Sequence, residues 1–267
     1  MVRQIALWLG VVASPAAAQD ACQPLRVPTY PMVREIGDVV AAYAKFGGVK
    51  GEFETSAQFA ERVRSAPSQA VVVQFPLLES GFSYDADAGR AKFDRFSTPT
   101  TCSIFNGLKE VEQPSLRSRG LSKLCIFKHM RGHISGSYVG TNMFGARAQI
   151  AKERDDYEGI FLGYGDILTN PFIIDQGIKS SLFEVSLPPV EAKSLKSNGV
   201  MLVVLRPENP FVATGTSYLA PTINSPSEKR GALKLLVGSV VCVGLADKAL
   251  RRIMATREIH KRSVTTR

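Results

Sequence analysis

The rhythm of apolar positions changes along this chain. Between Met32 and Phe46, the residues Val33, Ile36, Val39, Val40, Tyr43 and Phe46 recur at helical spacing, and Gly47-Gly48 stops the helix. A second, shorter helix follows. Thr55 is placed as its N-cap with Gln58 three residues on, the capping-box arrangement. Ala57, Phe59, Ala60 and Val63 supply its stripe, with Glu61, Arg62 and Arg64 largely off it, and Ala66-Pro67-Ser68 ends it.

Beyond Pro67 the pattern becomes that of strands. Val71 to Phe75 is a compact apolar run, and Phe82–Asp85 and Arg90–Phe96 flank a turn at Ala86-Asp87-Ala88-Gly89. Residues 106–122 carry Asn106-Gly107, Pro114 and scattered charge, and read as a mobile loop. Leu124–Met130, His133–Val139, Ala146–Lys152 and Gly159–Tyr164 suggest an antiparallel meander, with Asp155-Asp156 at its last turn.

The last third is mixed. Leu182–Leu187 is a strand, Pro188-Pro189 opens a helix through Lys196, and Asn198-Gly199 stops it. Val200–Leu205 is a strand. Residues 206–231, with four prolines, read as loop, and Lys234–Leu245 is a final buried strand. Asp247 is placed to cap a terminal basic helix through Arg262, with Leu250, Ile253 and Met254 as its weak stripe. The predicted class is α+β, a short N-terminal helical lobe packed on a largely antiparallel β body. No repeat or low-complexity linker divides it, so 19–246 is expected as one domain, with 24–66 as the lobe and 70–246 as the β-rich body.

The ends change the picture. Met1-Val2-Arg3, the apolar run Ile5–Ala13 and Ala16-Ala17-Ala18 before Gln19 form the pattern of a secretory signal peptide over 1–18. Gln19-Asp20-Ala21 before Cys22 does not fit a lipoprotein signal. The expected location is periplasmic or extracellular. Without Arg3 there remain 32 basic and 24 acidic residues, a net of +8. Residues 247–267 hold seven Lys/Arg and two Asp/Glu, so the body is nearly neutral and the tail basic. That distribution argues against a nucleic-acid interface, which spreads cations and aromatics over a folded face. It leaves an anionic surface met by the tail, or another envelope protein, as the expected partner. The run Leu235–Ala246 is too short to span a bilayer as a helix.

Four cysteines in an exported chain suggest disulfides. The pairing expected here is Cys22 with Cys242, stapling the N-terminus to a late strand, and Cys102 with Cys125. Other connectivities stay open, and no CxxC pair indicates a zinc ribbon or redox site.

Catalytic templates each fail at a named residue. His129 and His133 have H-x3-H spacing but no glutamate between them and no third ligand nearby. Ser135 in "GHISG" sits one position late for a nucleophile elbow, and His260 lies in the tail. Gly140 and Gly145 have P-loop spacing without the Lys-Ser/Thr, so a hairpin turn near Thr141-Asn142 is expected. Asp85, Asp87, Asp155, Asp156, Asp166 and Asp175 include potential calcium ligands, but "DADAG" has Phe96 where a loop of that type needs glutamate. Glu52 and Glu54 precede a helix N-terminus, where negative charge is favourable. No catalytic, cofactor or metal residues are assigned. The function expected is that of an exported bacterial envelope protein that binds or builds. The alternatives are a periplasmic hydrolase using carboxylates such as Glu52, Glu54 or Asp166, and adhesion to an anionic surface through the tail.

Two stretches resemble known motifs. "KGEFETSAQFAERV", residues 50–63, is similar to K-x-E-F-E-T-x-x-x-F-x-x-R, found in uncharacterised secreted bacterial proteins. "GSYVGTNMFGARAQI", residues 136–150, resembles the Y-V-G-x-N-A-F-G segment of the same group, with Met143 in place of alanine. The resemblance implies no particular activity.

Overall fold

A computed structural model describes residues 20–26, 30–48, 50–94, 126–129, 132–154, 156–161 and 181–259. Cys102, Cys125, the loop expected at 106–122, Asp155, Asp166, Asp175, His260 and the signal-like segment lie outside them.

The fold is α+β, with helices gathered on a largely antiparallel β body. Two helices form the N-terminal lobe, α1 (Ile36–Ala44) and α2 (Ser56–Arg64), and α3 (Pro189–Asn198) follows later. The main sheet contains β1 (Val71–Pro76), β4 (Ile126–His129), β5 (Ile134–Thr141), β6 (Arg147–Arg154), β7 (Tyr157–Phe161), β9 (Gly199–Leu219), β10 (Ser227–Asp247) and β11 (Arg252–Glu258). A smaller antiparallel sheet joins β2 (Phe82–Asp85), β3 (Arg90–Phe93) and β8 (Phe183–Ser186).

Both faces of the main sheet are covered where the start of β9 pairs with the end of β10. Met201, Val203, Leu205, Val243 and Leu245 face α1, α3 and the small sheet. Their neighbours Leu202, Val204, Cys242 and Ala246 face the N-terminal segment that carries Cys22, Leu25, Tyr30 and Val33. Burial on both sides explains why these strands are almost continuously apolar rather than alternating. Gly244 makes room for the segment, since a Cβ there would press on Leu25 Cδ1. The disulfide Cys22–Cys242, with Cα atoms 5.2 Å apart, fixes that cover to the sheet, as the expected pairing required.

The lobe is docked at several points. Arg34 N–H donates to Val72 O at 3.0 Å, placing the entry to α1 beside β1. Ile36, Val39, Val40 and Tyr43 are the buried face of α1, and Tyr43 stacks obliquely on Phe211 at 5.8 Å. Gly47 lies so close to Pro210 O that a Cβ would overlap it, and Gly48 N–H donates to the same carbonyl.

Three expectations are corrected. Residues 206–231 are not mostly loop: β9 continues through Pro207 and Pro210 to Leu219, and β10 starts at Ser227. Prolines are tolerated because Pro207 sits at a register shift opposite Gly238, and beyond Leu205 only one side of β9 is paired among the described residues. The meander is also replaced. β5 and β6 do form a hairpin, but β6 and β7 both run parallel to β10, at 151–154 with 227–230 and 157–161 with 233–237. They are successive lengths of one line, not a hairpin turning at Asp156. At the break, Asp156 Oδ1 accepts the N–H of Ala232 at 2.9 Å and stands in for a ladder carbonyl. The third correction concerns the C-terminus. Asp247 caps a turn, accepting from Ala249 and Leu250 N–H, and the chain returns as β11 instead of a helix. A basic helix with so weak a stripe buries little, whereas pairing satisfies the β10 edge.

Candidate functional site

Two places concentrate side-chain chemistry. The first is the motif at residues 50–63. Thr55 and Gln58 make the full capping box: Thr55 Oγ1 accepts from Gln58 N–H, and Gln58 Oε1 accepts from Thr55 N–H. Glu54 is gripped by Arg62, whose Nε and Nη2 donate to its two carboxylate oxygens at 2.8 Å each. The same guanidinium donates through Nη1 to Phe46 O at 3.1 Å and Gly47 O at 2.6 Å, the open carbonyl end of α1. Arg62 therefore lies on the packing side of α2 with Phe59 and Val63, not off it. The paired guanidinium, and then Gly51 N–H, lower the Glu54 pKa to about 2. This carboxylate is an ionised clasp between α1 and α2 and is poorly disposed to accept a proton near neutrality. Glu52 is exposed and is not gathered with it.

The second place is an arm made by the far halves of β9 and β10 with β5 and β6. Cross-strand pairing puts Tyr138, Ile150, Lys152, Glu228, Arg230 and Tyr218 on one face. Glu228 is only 7% exposed. Its carboxylate accepts from Tyr138 OH at 2.9 Å and from Arg230 Nε at 2.7 Å. These donors, Tyr138 first, hold its pKa below the usual carboxylate range, and the same bond raises that of the phenol. Lys152 Nζ lies 5.3 Å from the Tyr138 ring centroid, and the Arg230 guanidinium 5.4 Å from that of Tyr218. Beside this cluster runs an open cleft of about 760 Å³, lined among others by Ser135, Lys152, Arg154, Tyr218, Glu228 and Arg230. Its cations outnumber its carboxylates, and Glu228 is already spent on two donors. The cleft suits contact with polar or anionic groups better than proton transfer.

The arm ends in two turns. In the β5–β6 turn Asn142 Oδ1 accepts from Phe144 and Ala146 N–H, and Gly145 has φ +81°. The turn expected from the glycines at 140 and 145 is present, and Gly140 leaves the space that the Ile150 side chain fills. Met143 and Phe144 project outward, 89% and 87% exposed. The β9–β10 turn closes between Thr222 and Ser225, with Ile223 75% exposed.

The other sequence candidates are dispersed. His129 and His133 stand at consecutive strands, not on one helical face. Ser135 Oγ lies 3.5 Å from Lys152 O. Asp85 Oδ1 accepts from Asp87 and Ala88 N–H and so builds the β2–β3 turn. Among the described residues one group with metal-ligand proximity occurs, Asp20, Cys22 and Glu258. Its sulfur is bonded to Cys242, and Asp20 is paired with Arg26 at 2.7 Å.

The Tyr138–Glu228 cluster escaped sequence reasoning because 206–231 read as loop. Period-two placement of Tyr218, Glu228 and Arg230 would have aligned them, had strands been recognised there. No family model, curated protein or solved structure matches this chain.

Proposed function

We propose that this chain is an exported bacterial envelope protein that acts by binding, with the four-stranded arm as its contact surface. The observation that carries this reading is the exposure of Met143, Phe144 and Ile223 at the end of an otherwise well-bonded arm. Met143 and Phe144 are adjacent on one turn, and neighbouring large apolar side chains held in water mark a contact site more than scattered single ones do. The Cys22–Cys242 disulfide supports an oxidising compartment, in line with the signal-like start. No described helix is long and apolar enough to cross a membrane.

Two measurements test the reading. Fractionation of producing cells with N-terminal sequencing is expected to find extracytoplasmic protein beginning near Gln19. Cytosolic protein that keeps Met1 would overturn export. A photo-crosslinking residue at Met143 is expected to form adducts in cells, whereas one at exposed Val190 on α3 is not. Equal labelling, or none at either, would overturn the arm as the contact surface.

A further inference from the structure

The arm has a direction, and its end has a chemistry. Because β6 runs parallel to β10, with Ala151 level with Ser227, the β5–β6 and β9–β10 turns project from the same end. Counted along the strands, Met143 and Phe144 lead Ile223 by roughly 10 Å, at about 3.3 Å per residue. Leu219, also exposed, is level with Lys229 and lies about 13 Å behind Ile223. Asn142, Gly145, Thr222 and Ser225 hold both turns through backbone and side-chain bonds. The projecting apolar side chains therefore are presented by rigid backbone, and little ordering is needed when they are buried.

Charge surrounds this end with one sign. Residues 134–154 and 214–234 contain six Lys/Arg and two Glu, a net of +4. No acidic residue occurs from 134 to 152 or from 214 to 227. Glu153 pairs with Lys229 at 3.0 Å, Glu228 with Arg230 at 2.7 Å and Arg154 with Asp156 at 3.2 Å, so the cations of 134–154 without an ion pair among the described residues are Arg147 and Lys152. Arg147, three residues behind Phe144, is exposed and has no ion-pair partner among the described residues. An apolar tip with an unpaired cation set just behind it, on an arm of net positive charge, is complementary to a layered surface, hydrocarbon beneath an anionic headgroup zone.

From this we infer that the end of the arm docks on an anionic lipid bilayer, inserting Met143 and Phe144 with Ile223 at the interface, while Arg147 faces the headgroups. The inference deepens the binding reading above and rests on it. It differs from adhesion through the C-terminal cations, since the contact is made by the opposite reach of β10.

Tryptophan supplies the test. The single tryptophan of the sequence is Trp8, within the signal-like segment, so the processed chain carries none. Processed Phe144→Trp and Val190→Trp proteins would be mixed with vesicles of phosphatidylcholine alone, or with added phosphatidylglycerol. The expected result is a blue shift and quenching by brominated lipid at position 144, none at 190, and only with phosphatidylglycerol present. In sedimentation, Met143→Ser with Phe144→Ser and Ile223→Ser is expected to cut partitioning by about ten-fold or more. Arg147→Glu should remove most of its salt-sensitive part. Removal of residues 260–267 should leave partitioning unchanged. Absence of partitioning, equal partitioning to phosphatidylcholine alone, indifference to the tip substitutions, or loss on removing 260–267 would each overturn the inference. A protein that is exported yet does not partition sinks this inference alone, whereas a cytosolic protein sinks the reading beneath it.

Discussion

Arg62 binds Glu54 through two hydrogen bonds of 2.8 Å while its remaining nitrogen closes the carbonyl end of α1 at Phe46 and Gly47. One side chain thus joins the end of the first helix to the approach of the second. Arg62→Ala leaves two carbonyls without this donor and the Glu54 carboxylate with only the Gly51 N–H, and is expected to lower Tm by several degrees. Arg62→Lys should recover only part of the loss, because an ammonium cannot make the bidentate contact. Thermal unfolding of the three proteins checks this.

The same pair has a pH signature. Glu54 titrates at about 2 in the folded chain against an ordinary 4.5. Between those values the unfolded chain binds the proton that the folded chain refuses. Stability from this group is present above pH ~4.5 and is lost as pH falls through ~2. Glu54→Gln is therefore expected to be less stable at neutral pH, with the gap to the parent closing on acidification through that window. Urea midpoints followed from pH 6 to pH ~2 would show the curves converging. Parallel curves would contradict the assignment.

Cys22 and Cys242 are separated by 220 residues, so their bond closes a very long loop. Cys22→Ser is expected to cost about 2–5 kcal/mol. Hydrogen exchange should quicken first at residues 20–33 and along the covered face of β9 at Leu202 and Val204, since these lie under the stapled segment.

Tyr138 and Glu228 titrate as partners. The hydrogen bond to Glu228 is the first cause of the raised Tyr138 pKa, with burial second. Glu228→Gln is expected to bring that phenol back toward its ordinary value, visible as an earlier rise in ultraviolet absorbance during alkaline titration. The sign also fixes the stability effect. A raised pKa contributes stability below the ordinary value that is lost as pH rises through the folded value, and Glu228→Gln should weaken that alkaline loss.

Thr55→Ala removes the acceptor for Gln58 N–H and is expected to cost about 1 kcal/mol. Thr55→Ser should cost little, because a hydroxyl remains in place.

What was legible in the sequence was local. Thr55 and Gln58 announce a capping box by their spacing, and Asp85 and Gly89 announce a turn. Pro188-Pro189 and Asn198-Gly199 bound α3, because helix ends are decided by residues near them. The Cys22–Cys242 bond could be anticipated from an apolar late strand and an N-terminal segment with one cysteine each. What was not legible depends on partners far away in sequence. Pro207 and Pro210 look like loop until β10 is known to pair along one side and leave the other open. Asp156 looks like a turn residue until Ala232 is placed opposite it. Leu250, Ile253 and Met254 fit a weak helical period, yet the unpaired edge of β10 decides for β11. Arg62 counts as a surface charge by periodicity and as a clasp only when Gly47 has been brought within reach. The arm cluster suffered most, since its members come from three segments, one of them hidden by the loop reading.

Nearly everything in the main sheet waits on β10. β9 pairs along one side of it, while β6, β7 and β11 divide the other. That strand lies at 227–247 of 267 residues, so most of the polypeptide must be synthesised before its neighbours find their common template. A chain built in this order cannot close its main sheet, or bring its two distant sulfurs together, until nearly all of it has been made.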